Sequence, residues 1–218
     1  MAEEKKTKTR MPKLDKALAK RSRIIEKGFE LICEKGYHST TTPEIAKYAD
    51  VSTGIIYQYF KDKKEIFIEG LKKYSESILF PMSSILDISS DNVTKVSLDD
   101  IELILDRIIT LMLQRHRMSQ KAHEEIFAMA HSDPDVAEIF ANSELAMTTR
   151  IEEFIEKNGI KLEHPKEKIH LIYGIVENYC HETIYHHHAE LNNEVMRREV
   201  ILIIKNILKS SLEPSGIF

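Results

Sequence analysis

The chain has 218 residues, 42% hydrophobic and 30% charged, with a net charge of −4. That is enough for one large or two small domains around a sizeable core, while no segment approaches the roughly 20 unbroken apolar residues of a membrane span. The opening MAEEKKTKTRMPK lacks the apolar stretch of a secretory leader, so a cytoplasmic protein is expected, with Cys33 and Cys180 as buried thiols rather than a disulfide.

Charge is unevenly placed. Residues 1–73 carry 17 Lys and Arg against 11 Asp and Glu, whereas the remainder carries 14 against 24. A basic N-terminal third on an acidic body suggests that one end meets a polyanion.

In chain order, residues 1–13 read as a disordered basic arm. Ile25, Phe29 and Ile32 recur at helical spacing within a first helix over about 15–35, which Gly36 stops. A second helix starts near Thr41 or Thr42, with Pro43 in its first turn and Glu44 placed for a capping box. It ends near Ala49. Ser52 is in N-cap position for a third helix reaching about Phe60. Asp62 and Glu65 open a fourth, which Pro81 is expected to break near Leu79. SSILDISSDNVTKVS then reads as a loop, followed by helices over about 98–117, 119–131, 134–157, 165–189 and 193–211. No strand pattern appears, so the fold is expected to be all-α.

The second and third helices carry the chemistry. Ile45 and Ala46 face inward, Val51 fills the angle of the turn, and Ile56 with Phe60 hold the third helix to the core. Thr53, Ile55 and Gln58 are then left facing away, and Gly54 allows another backbone to approach closely. Hydroxyls on Ser52 and Thr53, phenols on Tyr57 and Tyr59, and the Lys63 ammonium are donors suited to phosphate oxygens. A helix whose first turn is built this way fits a major groove.

The stretch GYHSTTTPEIAKYADVSTGIIYQYFKDKKEIF closely resembles the DNA-binding signature of the TetR family. Matching positions include Gly36, Tyr37, Thr40, Thr41, Ile45, Ala46, Ala49, Val51, Ser52, Gly54, Tyr57, Tyr59, Phe60, Lys63 and Glu65. Asp50 stands where the family has glycine; it accepts a left-handed backbone, but its charge near phosphate would trim affinity. The resemblance covers about residues 16–70. It implies a dimeric regulator, most often a repressor, that binds a double-stranded DNA operator and leaves it when a small-molecule effector enters the larger domain. Carried over by position, the DNA contacts are Thr42, Ser52, Thr53, Gly54, Ile55, Tyr57, Gln58, Tyr59 and Lys63. Thr53, Gly54, Ile55 and Gln58 would read base edges, and the others would set register on phosphates. The organisation expected is an arm (1–13), a DNA-binding domain (14–61) and a regulatory and dimerisation domain (62–218).

In the large domain, Met112, Phe127, Phe140, Met147 and Tyr173 lie at helical spacing and suggest an adaptable apolar pocket. Glu177, one turn beyond Tyr173, needs a partner if buried, with Arg107, Arg115 and His170 as internal candidates or a cationic effector otherwise. Ile169, Ile172, Val176, Cys180 and Thr183 form a stripe on the eighth helix, and Val200, Ile203, Ile204 and Ile207 one on the last; both are expected at a homodimer interface. Ten histidines invite a metal reading. His181 and His186 are five residues apart, about 140° around an α-helix, so they cannot share an ion, and no metal site or cofactor is expected. A regulator with no small-molecule inducer is the alternative, and a metal-dependent enzyme around His181 the remote one.

Overall fold

The computed structural model describes residues 13–90, 98–116, 120–158, 160–186 and 188–209. Among these the chain is helical and has no strand: α1 (Lys13–Lys35), α2 (Thr42–Tyr48), α3 (Thr53–Tyr59), α4 (Lys63–Ser90), α5 (Leu98–Arg115), α6 (Gln120–Ser132), α7 (Pro134–Lys157), α8 (Pro165–His181), a π-helical turn (Glu182–His186) and α9 (Asn193–Lys209). Among the described residues no helix is long and apolar enough to cross a membrane. Residues 1–12 of the expected arm, residues 91–97 and the expected end of the last helix at 210–211 lie outside the described residues, while Lys13 opens α1.

Local chemistry sets most boundaries. After α1, Gly36 takes φ 102° and its N–H closes on the Ile32 carbonyl at 2.8 Å. Ahead of α2, Glu44 accepts the Thr41 N–H at 2.8 Å and the Thr41 hydroxyl at 2.7 Å. Lys35 also reaches this carboxylate, and Lys35 with the two Thr41 donors holds its pKa down at about 2. Asp62 accepts the Glu65 N–H at 3.0 Å, and Glu65 accepts the Lys61 N–H at 2.7 Å. At α7, Asp133 accepts from the amides of Asp135 and Val136.

Two boundaries differ from expectation. Pro81 does not end α4, which runs on to Ser90, so SSILDISS is helical rather than loop. A proline costs a helix interior about 3 kcal/mol, and α4 absorbs that cost without ending. Conversely, α8 stops at His181 instead of reaching Ala189, because the chain widens into the π-helical turn.

Packing forms two apolar clusters. One joins Ile24, Ile25 and Ile32 of α1, Ile45 of α2, Ile56 of α3 and Ile66 and Phe67 of α4 to Ile126 of α6 and Val136 of α7. The other joins α5, the later part of α7, α8 and α9 around Ile109, Met147, Ile169, Cys180 and Ile204. The α1–α4 crossing is close because of two glycines. A Cβ on Gly28 would lie 2.5 Å from Ile66 Cγ2, and one on Gly70 would lie 2.5 Å from Phe29 Cβ and Cγ. Lys64 ties α4 to the start of α7, its Nζ lying 2.7 Å from carboxylate oxygens of both Asp133 and Asp135.

The crossing makes a direct prediction. Gly70→Ala should destabilise the fold by about 1–3 kcal/mol through overpacking against Phe29. Urea denaturation should show a lower midpoint at unchanged slope; an unchanged midpoint would contradict this packing.

Candidate DNA-binding face and the cavity behind it

The turn between α2 and α3 is fixed from three sides. Asp50 adopts φ 52°, the Val51 N–H bonds the Ala46 carbonyl at 2.9 Å, and Arg23 of α1 donates to the Asp50 carbonyl at 3.0 Å. Arg23 also stands 3.8 Å from the Asp50 carboxylate and offsets the charge that departs from the family pattern. Ile45, Ala46, Ala49, Ile56 and Phe60 are buried, and Val51 packs against them.

The opposite face of α3 is open. Ser52, Gly54, Tyr57 and Gln58 are exposed, and Thr42, Thr53, Ile55 and Tyr59 are half-buried. Tyr57 is 58% exposed, which rules out a core role for its ring. Ser52 occupies the N-cap position with an extended backbone, yet its hydroxyl makes no capping bond and stays available. A Cβ on Gly54 would meet only the Ser52 Oγ, at 4.0 Å, so nothing inside the chain requires glycine there.

Lys63 is the exception among the expected contacts. Its Nζ donates to the carbonyls of Tyr37 at 2.5 Å and Thr40 at 2.8 Å, and lies 4.4 Å from the centre of the Tyr37 ring. The ammonium therefore pins α4 to the α1–α2 turn instead of standing free for phosphate.

Behind this domain lies a cavity of about 300 Å³ bounded by α4, α5, α6, α7 and α8. Its walls include Met112, Phe127, Phe140, Met147, Tyr173 and Glu177, together with Leu71, Tyr74 and Ser75 of α4 and Ile126 of α6. Met112 and Tyr173 also border a smaller apolar void of about 80 Å³ among α5, α7, α8 and α9.

One end of the larger cavity is polar, and the sequence reading missed most of it. His116 Nε2 stands 3.1 Å from Glu177 Oε2, His181 Nε2 3.4 Å from the same oxygen, and His123 Nε2 3.2 Å from His181 Nε2. Glu177 is thus partnered internally by His116, not by Arg107 or His170; the latter pairs with Glu144. Burial disfavours the Glu177 carboxylate, but His116 and Tyr173 outweigh it and its pKa lies below the ordinary value. Burial also opposes charge on His116, and Glu177 overcomes it, so that imidazole is raised. Burial, then the neighbouring His181 and His116, push His123 down to about 4, and burial lowers His181. His116, Glu177 and His181, which sequence spacing does not bring together, place ligand atoms within 4.8 Å of one another. His188 lies beyond the π-helical turn and pairs with Glu182 at 3.1 Å.

The expected dimer stripe is also corrected. Ile169, Ile172, Val176, Cys180, Val200 and Ile204 are buried within their own chain; Thr183 and Ile207 are half-buried, and only Ile203 is exposed. The second cluster takes that face of α8 and α9 for itself. The outward apolar residues are instead Leu171 (59% exposed), Val195, Leu202 (50%) and Ile203 (44%), beside Gly174, whose position opens to free space. Both thiols are free and buried, with burial pushing each to about 12.

Two short helices at a fixed turn, the second braced on one side and open on the other, make a helix-turn-helix DNA-binding domain. Residues 24–69 match the family model described as bacterial regulatory proteins, tetR family. Over these N-terminal residues the chain is similar to that family. It is 49% identical over 53 residues to the HTH-type transcriptional regulator HbdR of Aromatoleum sp. (strain CIB), covering 24% of this chain and 23% of that one. It is 31% identical over 96 residues to the fatty acid metabolism regulator protein of Bacillus subtilis (strain 168), covering 44% and 47%. The matches thus span less than half of either relative. A solved Saccharomonospora viridis protein in complex with choline shares the fold over 86% of this chain and 96% of its own, with a TM-score of 0.64 at 16% identity.

The Lys63 geometry predicts that Lys63→Met lowers stability by about 1–3 kcal/mol, the usual range for hydrogen bonds to a charged group. Chemical denaturation checks this. Lost DNA affinity at unchanged stability would return Lys63 to the DNA surface.

Proposed function

We propose that the protein is a ligand-responsive transcriptional repressor that acts in the cytoplasm, as a homodimer, on a palindromic operator. The observation that carries this reading is the open face of α3. Its exposed residues are small, hydroxylated or hydrogen-bonding, while Ile56 within it and Phe60 just beyond its end are committed to the core. Thr53, Gly54, Ile55 and Gln58 would meet base edges, and Thr42, Ser52, Tyr57 and Tyr59 the phosphates. Residues 14–61 serve as the reading domain and 62–218 as the sensing and dimerising one.

The cavity supports the regulatory half. It suits an apolar or amphipathic molecule, with a polar group at the histidine end and an apolar part among the Met and Phe walls. The Bacillus subtilis relative is named for fatty acid metabolism, which fits that chemistry. Because Glu177 already has His116, a cationic group on the effector is not required. Two elements would transmit occupancy. Helix α4 lines the cavity through Leu71, Tyr74 and Ser75 and packs on α1 through Gly70. Helix α6 lines it through His123 and Phe127, and its Glu125 accepts the Tyr37 N–H at 2.5 Å. An effector releases DNA only by favouring the arrangement in which two α3 helices no longer match successive grooves.

Gly54→Ala is the sharpest test of DNA reading. The fold should keep or gain stability, by up to about 1 kcal/mol, because alanine is the better helix former and has room. Affinity for duplexes selected by the protein should fall at least about tenfold. Unchanged affinity would overturn the α3 assignment.

For the dimer, the exposed apolar residues of α8 and α9 supply the face. Ile203→Glu should yield a folded monomer by light scattering with retained helical circular dichroism. Ile204→Glu should unfold the domain, since Ile204 is fully buried. A dimer persisting in Ile203→Glu and in Leu171→Glu would place the interface elsewhere.

A further inference from the structure

We propose that His116, Glu177 and His181, with His123 as a fourth donor, form a binding site for one divalent transition-metal ion of the zinc type at the polar end of the cavity. His116, directly after α5, and Glu177 and His181 of α8 bring their ligand atoms within 4.8 Å of one another, and His123 of α6 stands beside His181. Four ligand atoms at about 2.0–2.2 Å from an ion lie about 3.3–3.6 Å apart along the edges of a tetrahedron. The separations from Glu177 are 3.1 Å (His116) and 3.4 Å (His181), close to those edges, while His123, 3.2 Å from His181, would have to turn inward to complete the set.

The surroundings orient the ligands. His116 Nδ1 lies 2.8 Å from the Met112 carbonyl and donates to it, and Nε2–H donates to Glu177; an ion would displace the Nε2 proton and take that lone pair, while the Nδ1 bond keeps the ring in place. That is the support metal-bound histidines commonly receive. Tyr185, placed by the π-helical turn, donates to the His116 carbonyl at 2.7 Å and stacks on His123 at 4.1 Å between ring centres. The turn therefore contributes to building this end of the cavity. Three imidazoles and one carboxylate are ligands suited to zinc, cobalt or nickel and poorly suited to magnesium or calcium. Bound there, an ion would clamp α5, α6 and α8 together, and α6 carries Glu125 to the DNA-binding domain.

The inference concerns the same cavity as the effector reading but is tested without DNA, so either can fail alone. The full chain, stripped with a chelator, is titrated with Zn²⁺ by calorimetry and with Co²⁺ by visible absorption. One ion per chain is expected, with the intense cobalt bands of a tetrahedral site and a raised melting temperature. His181→Gln, His116→Gln and Glu177→Gln should each weaken binding by at least about 100-fold, more than loss of a supporting partner usually does. The exposed pair His186→Ala/His188→Ala should leave it unchanged. Circular dichroism of the metal-free variants confirms folding, and Glu177→Gln, which keeps the side chain's shape, stands in for a histidine variant that fails to fold. Absence of stoichiometric uptake would overturn the site. Uptake that survives all three ligand variants but disappears with His186 and His188 would equally overturn it.

Discussion

A seven-residue helix does not persist in water by itself, and α3 has only seven residues. Everything it does depends on Ile56, fully buried, and on Phe60 just beyond its end, which fasten it to α1, α2 and α4. Because Ile56 is the one fully buried side chain within the helix, with Ile55 and Tyr59 packed only in part, Gly54, Tyr57 and Gln58 are released from packing. The turn before it is equally committed: Asp50, Val51 and Arg23 are bonded so that the angle between α2 and α3 is set before any DNA arrives. Preorganisation of this kind spares the complex the cost of ordering a loop.

The same cluster that fastens α3 also takes in Ile126 of α6 and Val136 of α7. The DNA-reading helices and the cavity helices therefore share apolar contacts and are not merely tethered. Polar links reinforce this at its edges, where Lys64 bridges to Asp133 and Asp135 and Glu125 holds the Tyr37 amide. A side chain displaced at Phe127 or His123 presses on a helix that also carries Ile126 and Glu125. Packed interfaces of this density shift between discrete arrangements rather than deform continuously.

Much of this was legible in the sequence because it is local. The cap at Asp62, the glycine stop at Gly36 and the inward pattern of Ile45, Ala46 and Ile56 are each written within a few residues. Met112, Phe127, Phe140, Met147, Tyr173 and Glu177, picked for helical spacing and side-chain type, lie around one cavity. What escaped was non-local. His116 and His123 meet their partners across 61 and 58 residues, and no spacing rule connects them. Lys63 looked like a phosphate donor because nothing in its own helix shows that two carbonyls of the preceding turn await it. The stripes on α8 and α9 were apolar enough for an interface, but periodicity cannot distinguish a face turned to the chain's own core from one turned to a partner. The π-helical turn escaped too, since it follows from Tyr185 packing on residues of α5 and α6.

The account rests on the open face of α3 being the surface that meets DNA. Amide hydrogen exchange on the full chain, with and without a duplex the protein itself selects, tests this most directly. Protection is predicted over residues 52–58 and at Thr42, with Ile109 and Ile169 in the second cluster unchanged. Exchange unaltered over 52–58 when DNA is bound, or protection confined to α8 and α9, would contradict it.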